Sequence, residues 1–377
     1  MRGLELTATC HFGLEAVLKR EIYDLGYDVT SVSDGRVEFS GDEEAVARAD
    51  IFLRSAERIL IKVGSFHAET FDELFEGTKA LDWESFLPRD ARFWVKKASS
   101  VRSKLFSPSD IQSIVKKAIV DRLSGIYHIQ RFPETGAEYP LRVFLLKDEV
   151  FIGLDTTGES LHKRGYRKMQ GEAPIAENLA AALILLTPWK RGRILVDPFA
   201  GSGTIPIEAA MIAANLAPGR NRSFTAQNWE ELISPSVWKE AFEEASSLEL
   251  SGAESDIQGY DIDSSVLKVA RQNAERAGVG KWIHFQERDM RALSHPKKYG
   301  FIITNPPYGE RMEDKKNLPV LYTDFGHALD RLDTWSVYLI SSFDGTEKYL
   351  NRKAAKKRKI YNGMIRADYY QFPGPRP

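Results

Sequence analysis

The sequence predicts an α/β chain in which a mostly parallel, doubly wound sheet follows a smaller α+β front half. Three observations carry this. From Arg193 onward short apolar runs alternate with amphipathic helical stretches, a rhythm that demands right-handed crossovers and a parallel sheet with helices on both faces. Before that, residues 1–65 read strand, helix, strand, strand, helix, strand, a ferredoxin-like order. Finally, 377 residues exceed one ordinary core and suit two or three domains. The boundaries that follow are 1–65 for the ferredoxin-like region, 66–155 for a second α+β module, 156–190 for a linker with one helix, and 191–377 for the doubly wound domain.

In chain order, Leu4–Thr9 predicts a strand, and Leu14, Val17, Leu18, Ile22 and Leu25 give the next helix its apolar face. Strands at Tyr27–Ser31 and Arg36–Phe39, a helix at Glu43–Ile51 and a strand at Arg58–Phe66 complete the first region. The second module reads helix Phe71–Ala80, strand Arg92–Ala98, helix Ser109–Leu123 and strands Tyr139–Leu146 and Val150–Leu154. Ser107-Pro108-Ser109-Asp110 is a helix-start signal, and Ile111, Ile114, Val115, Ala118 and Ile119 form the stripe to be buried. Between Ala91 and Arg131 nine basic residues face two acidic ones, a local charge of +7. Such an excess suits phosphate, although lysines at helical spacing also serve as a solvated face.

Basic and aromatic Leu161–Arg167 leads to Ala173-Pro174-Ile175, which opens a helix through Asn178 to Leu186. The last domain then reads strand Arg193–Pro198, helix Thr204–Ala214, strand Ile257–Ile262, helix Ser264–Ala277, strands Ile283–Arg288 and Phe301–Thr304, helix Leu318–Leu332 and strand Trp335–Ser341. Strands Lys357–Tyr361 and Ile365–Phe372 flank Asn362-Gly363, a hairpin signal that makes the last strand antiparallel. Residues 215–255, with Trp229, Pro235 and Trp238, interrupt the rhythm as an insertion without an assigned role.

Chemistry concentrates at strand ends. Asp197-Pro198-Phe199-Ala200-Gly201-Ser202-Gly203-Thr204 sits at the carboxyl end of the first strand of the doubly wound domain, the edge where such sheets take cofactors. There is no Gly-x-Gly-x-x-Gly and no Gly-Lys-Ser/Thr here, so the nicotinamide and ATP readings fail. Asp261 ends the second strand, where an acidic side chain can accept both hydroxyls of a ribose; Asp263 reads as a helix N-cap. Thr304-Asn305-Pro306-Pro307-Tyr308-Gly309 follows the buried run Phe301-Ile302-Ile303, and two consecutive prolines stiffen the loop. A nucleobase amino group has its lone pair delocalised into the ring, and it attacks an electrophile only when acceptors grip its N–H bonds. Asn305 Oδ1 and the Pro306 carbonyl can be those acceptors, and Tyr308 offers a flipped base a face for stacking.

The Asn-Pro-Pro-Tyr string resembles motif IV of the amino methyltransferases, and the Asp197–Thr204 octet resembles their motif I. Trp94-Val95-Lys96-Lys97, with Ser99, Arg102, Ser103 and Lys104 ahead of a helix, resembles a THUMP domain, a module of RNA-modifying enzymes. Together the chain resembles the bacterial THUMP-containing guanine-N2 RNA methyltransferases, whose relatives act on 23S rRNA and whose cousins act on tRNA. The resemblance implies a Rossmann-like class I methyltransferase domain with S-adenosylmethionine as cofactor and RNA as partner. It places Asp197, Phe199, Ala200, Gly201, Gly203 and Thr204 around the cofactor, Asp261 on the ribose, Ile262 on the adenine face, and Asp289 and Met290 at the adenine. Pro174 and Asn178 fall in the segment called motif X, at the methionine end. Asn305, Pro306, Pro307 and Tyr308 form the catalytic loop, with Asn305 also touching the cofactor, and Lys96, Lys97, Arg102 and Lys104 meet RNA.

Two other readings stay open at this level: a DNA adenine-N6 methyltransferase, since the loop serves any planar amino group, and a non-catalytic RNA-binding assembly factor. The sole cysteine, Cys10, excludes a disulfide framework and a Cys-rich metal site, fits a reducing cytoplasm, and lies at the far end of the sequence from the Asn-Pro-Pro loop. Methylation at carbon 5 of a pyrimidine, which uses a cysteine, is therefore disfavoured. No apolar run reaches membrane length, so no membrane partner is expected. The formal net charge of −1 hides local asymmetry, and Lys353–Lys359 reads equally as an RNA contact or a solvated edge.

Overall fold

The computed structural model describes residues 3–167, 175–307, 312–362 and 365–376. Fourteen strands within them form two seven-stranded sheets. The first sheet takes strands β1 (Leu4–Thr9), β2 (Val29–Ser33), β3 (Arg36–Gly41), β4 (Arg58–His67), β5 (Arg92–Val101), β6 (Glu138–Leu146) and β7 (Glu149–Asp155) in the order β2-β3-β1-β4-β7-β6-β5. The ferredoxin-like region and the second module are thus one continuous sheet. Their join is the antiparallel pair of β4 and β7, which runs from Leu60 opposite Asp155 to His67 opposite Glu149.

Helices α1 (Glu15–Asp24), α2 (Glu43–Phe52), α3 (Phe71–Lys79) and α4 (Pro108–Tyr127) belong to this front half. Asp42 caps α2 by accepting from the Ala45 amide, Thr70 and Glu73 form a reciprocal capping box on α3, and Ser107 caps α4 with Pro108 in its first turn. The predicted stripe of α4 is buried at Ile111, Val115, Ala118 and Ile119, and its Ile114 is partly buried. The helix runs one turn beyond Leu123, to Tyr127, where His128 ends it in the left-handed conformation.

The second sheet takes β8 (Leu195–Asp197), β9 (Ile257–Asp261), β10 (Ile283–Glu287), β11 (Phe301–Thr304), β12 (Ser336–Ser341), β13 (Lys356–Asn362) and β14 (Ile365–Phe372) in the order β10-β9-β8-β11-β12-β14-β13. Six strands run in one direction, and β14 is the reversed strand, lying between β12 and the edge strand β13. Around it run α5 (Glu177–Leu185), α6 (Thr204–Ala213), α7 (Pro235–Ser247), α8 (Ser264–Arg276), α9 (Met312–Asp330) and the short α10 (Thr346–Tyr349). The α5 helix starts later than its sequence suggests. Ala176 is extended, so helical geometry begins at Glu177 rather than beside Pro174, and Pro174 itself lies outside the described residues.

The insertion 215–255 clamps the two halves together. Trp229 stacks on Tyr139 at 4.8 Å between ring centroids, and its indole N–H donates to the Glu138 carbonyl at 2.7 Å. The α7 helix packs along α2, where Arg48 makes a two-pronged bond to Glu244 at 2.8 and 2.9 Å. Gly219 lies so close to α2 that a Cβ on it would sit 2.7 Å from the Ile51 Cα. Among the described residues no helix is long and apolar enough to cross a membrane. If the clamp holds the halves as one unit, Trp229→Ala should cost about 3–5 kcal/mol of stability and separate the unfolding of the two halves. Denaturant unfolding followed by probes in each half checks this.

Candidate active site

The site assembles where β8, β9, β10 and β11 end side by side. Asp197 closes β8 and Thr304 closes the adjacent β11; both are fully buried. The Thr304 hydroxyl donates to Asp197 Oδ1 at 2.6 Å, and the Phe199 amide donates to the same oxygen at 3.1 Å. One carboxylate oxygen therefore ties the turn after β8 to the strand that carries the Asn-Pro-Pro loop. Burial, offset in part by these bonds and reinforced by the charge of Asp261, pushes the Asp197 carboxyl up to about 7.

The glycine turn is held from the neighbouring strand. The Ala200 amide donates to the Tyr260 carbonyl at 2.8 Å, and the Gly201 amide donates to Asp261 Oδ2 at 3.0 Å. Gly203 must be glycine on two counts: its φ is +84°, and a Cβ would stand 2.9 Å from Phe285 Cζ. Gly201 has φ +52° and open space where its Cβ would point. Asp263 is the N-cap of α8, as its place predicts, accepting from the Ser265 and Val266 amides. Ile262, just past the end of β9, is 69% exposed, an apolar side chain without cover at the ligand edge of the sheet.

Asn305 and the two prolines follow. Asn305 Oδ1 is buried and has no hydrogen-bond partner among the described residues. Pro306 is buried and Pro307 exposed, and the Pro307 carbonyl accepts from the Tyr322 hydroxyl of α9 at 3.3 Å. Tyr322 also meets Ser341 Oγ, at the end of β12, at 2.7 Å. This residue was not singled out from sequence, because a tyrosine on an amphipathic helix reads as core until its partner is seen. Tyr308 lies outside the described residues.

Several expected cofactor contacts have other occupations. Asn178 is fully buried, donates to the Ala56 carbonyl of the front half at 3.3 Å, and accepts from the Leu179 amide, so its amide serves the junction between the halves. The Thr204 hydroxyl accepts from Arg167 at 2.6 Å. Both Asp289 oxygens are engaged by Arg291, which holds the carboxyl below its usual range, and Met290 is buried against α9. Phe199 is half-buried, edge-on to Phe325 at 5.2 Å.

The basic residues divide. Lys96 and Lys97 are both exposed because the pairing of β5 with β6 slips by one residue between Val95 and Lys97. Arg102 is exposed, whereas the Lys104 ammonium is paired with Glu69. Lys353–Lys359 runs into the edge strand β13, where charge discourages strand addition, and Lys357 is paired with Glu347 at 2.5 Å. Cys10 is buried in the front half, and burial pushes its thiol up.

Residues 164–371 match the family described as RMKL-like, methyltransferase domain, which covers more than half of the chain. The chain belongs to that methyltransferase family. Residues 5–60 match the RlmL ferredoxin-like domain and 68–155 the THUMP domain. Over 375 residues the chain is 47% identical to a Bacillus subtilis (strain 168) protein named "Putative RNA methyltransferase YpsC", covering 99% of this chain and 96% of the relative. A "possible methylase" from Clostridium difficile 630 superposes with a TM-score of 0.95 at 46% identity, covering 100% of this chain and 99% of that one. A putative methyltransferase solved in complex with SAH superposes with a TM-score of 0.93 at 43% identity over the whole of both chains. A "predicted N6-adenine-specific DNA methylase" from Listeria monocytogenes gives 0.93 at 48%, over 100% of this chain and 97% of that one.

The buried carboxyl at the centre of the site has a measurable signature. Raised from 3.8 to about 7, Asp197 holds a proton in the folded chain that the unfolded chain has already lost. Its contribution to stability is complete below about pH 4 and is lost as the pH rises to about 7. Asp197→Asn should therefore gain on the wild type across that window, by at most about 4 kcal/mol, and run parallel to it above pH 7. Chemical denaturation of both proteins at pH steps from 4 to 8 checks this.

Proposed function

We propose that the protein transfers a methyl group from S-adenosylmethionine to the exocyclic N2 amino group of a guanine in RNA, with 23S rRNA as the substrate and tRNA as the alternative. The observation that carries the reading is Asn305 Oδ1: a buried acceptor without a partner among the described residues, at the end of β11, in a family of methyltransferases. Buried polar atoms are nearly always satisfied, and one left unpaired in a cleft suits a ligand donor. The THUMP match, the name of the Bacillus subtilis relative and the exposed Lys96, Lys97 and Arg102 support RNA. In the same loop as Arg102, Phe106 is 81% exposed and offers a base a face for stacking.

The residues present fit the cofactor. Room above Gly201, a carboxylate at Asp261 and the uncovered Ile262 suit, in turn, the amino-acid part, the ribose and the adenine. When bound, S-adenosylmethionine supplies an electrophilic methyl on its sulfonium. Asn305 Oδ1 accepts one N–H of the guanine amino group and the Pro306 carbonyl the other, which draws the nitrogen towards sp³ and aims its lone pair. The Tyr322 bond to the Pro307 carbonyl keeps that loop from retreating. The methylated nitrogen is acidic and sheds its proton to water, so no strong base is needed.

The name of the Listeria monocytogenes relative favours a second reading, methylation of adenine N6 in DNA. Offering total RNA and duplex DNA with labelled S-adenosylmethionine separates the two: label is expected in RNA, and label in DNA alone replaces the first reading with the second. Asn305→Ala should leave cofactor affinity nearly unchanged and lower methyl transfer by about 10²–10³-fold, seen by calorimetry with SAH beside single-turnover rates. Asp261→Ala should instead weaken cofactor binding by about 10–150-fold, the ~1.5–3 kcal/mol of a charge-assisted hydrogen bond, and saturating cofactor should restore much of the rate.

A further inference from the structure

Arg167 of the basic segment 161–167 reaches the turn after β8, but residues 164–166 lie elsewhere. They close a cavity of about 80 Å³ against the last turns of α6 and α8 and the chain after α6. Arg164, Arg220 and Arg276 line it together with Tyr166, Met211 and Asn221, and among the described residues no carboxylate is in the lining. Its volume is several times what one water needs, enough for a tetrahedral oxyanion.

The guanidinium groups are only partly used. Arg164 is 4% exposed; it donates to the carbonyls of Leu161 and Arg54, while its Nε has no hydrogen-bond partner among the described residues and stands 3.7 Å from Glu208. Arg220 donates through Nη2 to the Ala277 carbonyl at 2.7 Å, and its buried Nη1 has no hydrogen-bond partner among the described residues. Arg276 is exposed at the end of α8, with one bond to Asn273 at 3.2 Å. Two acids lie behind the lining: Glu208 accepts from Tyr166 at 3.0 Å through Oε1, its buried Oε2 having no hydrogen-bond partner among the described residues, and Glu249 lies 3.7 Å from Arg220 Nε. A buried guanidinium N–H left without an acceptor is costly. Two such groups, on Arg164 and Arg220, and the exposed fork of Arg276 beside one small polar cavity suit a phosphate.

We propose that this cavity is a phosphate subsite, in which Arg220 and Arg276 grip one oxyanion and Asn221 donates at the rim. The site stands independently of the methyltransferase reading; only the source of the phosphate, a backbone phosphodiester of RNA or free inorganic phosphate, depends on it. Its place, well along α6 from Gly203, makes it an anchor distinct from the reacting centre.

The test uses the full chain and two surface variants, Arg276→Gln and Asn221→Ala, whose side chains are exposed. Inorganic phosphate, compared with chloride at equal ionic strength, should raise the wild-type Tm by a few degrees and the Tm of Arg276→Gln by much less. In RNA binding from low to high salt, Arg276→Gln should flatten the log–log slope by about 0.7–0.9, with SAH affinity unchanged. A flattened slope assigns the subsite to RNA phosphate, and phosphate stabilisation with an unchanged slope assigns it to the free ion. If wild type and both variants respond alike to phosphate and give equal slopes, the cavity is only a scaffold of arginines capping carbonyls and the proposal falls. Because SAH binding and methyl transfer are read separately, loss of the methyltransferase reading would leave the phosphate result standing.

Discussion

The bond from Thr304 to Asp197 is the constraint on which the site depends. β8 and β11 are neighbours in a parallel sheet, so their carboxyl ends emerge together, and one turn carries the glycines while the other carries Asn305. Hydrogen bonding along the strands sets their spacing but leaves the loops beyond them free to diverge. A shared buried carboxylate removes that freedom: Oδ1 takes the Thr304 hydroxyl on one side and the Phe199 amide on the other. Asp261 repeats the device one strand over, holding Gly201 and the start of α8 through its two oxygens. Two carboxylates thus fix three loop ends, and the fixing is done before any ligand arrives.

A second constraint sets how that site meets a large substrate. Front and rear halves are joined by more than a linker: Trp229 on Tyr139, Arg48 on Glu244, Asn178 on Ala56 and Gly219 against α2 are spread along the whole junction. Asp50, fully buried there, takes the hydroxyls of Thr156 and Thr157 at 2.7 Å and is itself pushed up to about 7 by burial. Such a junction is polar as well as packed, which fixes orientation as much as it adds stability. On the proposed function, a front sheet that grips RNA is held at a set distance from Asn305, so that reach as well as base reading would set the choice of nucleotide.

What the sequence disclosed, it disclosed through local spacing. Both turns at strand ends, the reversed last strand, the caps at Ser107 and Asp263 and the buried stripe of α4 all rest on residues within a few positions of one another. What it hid depends on partners far along the chain. Trp229 meets Glu138, 91 residues earlier, and Asn178 meets Ala56, 122 residues earlier. Lysines share the same limit, since charge can be counted from sequence but pairing cannot: Lys104 is neutralised by Glu69 and Lys357 by Glu347. Pro174 suggested a helix start by its ordinary preference, yet Ala176 stays extended and the helix waits for Glu177.

The central claim is that the acceptor left open at Asn305 grips the amino group of a guanine in RNA. Mass spectrometry of nucleosides from the rRNA and tRNA of a deletion strain, before and after treatment with the purified protein, addresses it directly. The account predicts that N2-methylguanosine is diminished in the strain's rRNA and restored by the wild-type protein. Unchanged N2-methylguanosine in both RNAs, with a different methylated nucleoside restored instead, would contradict it.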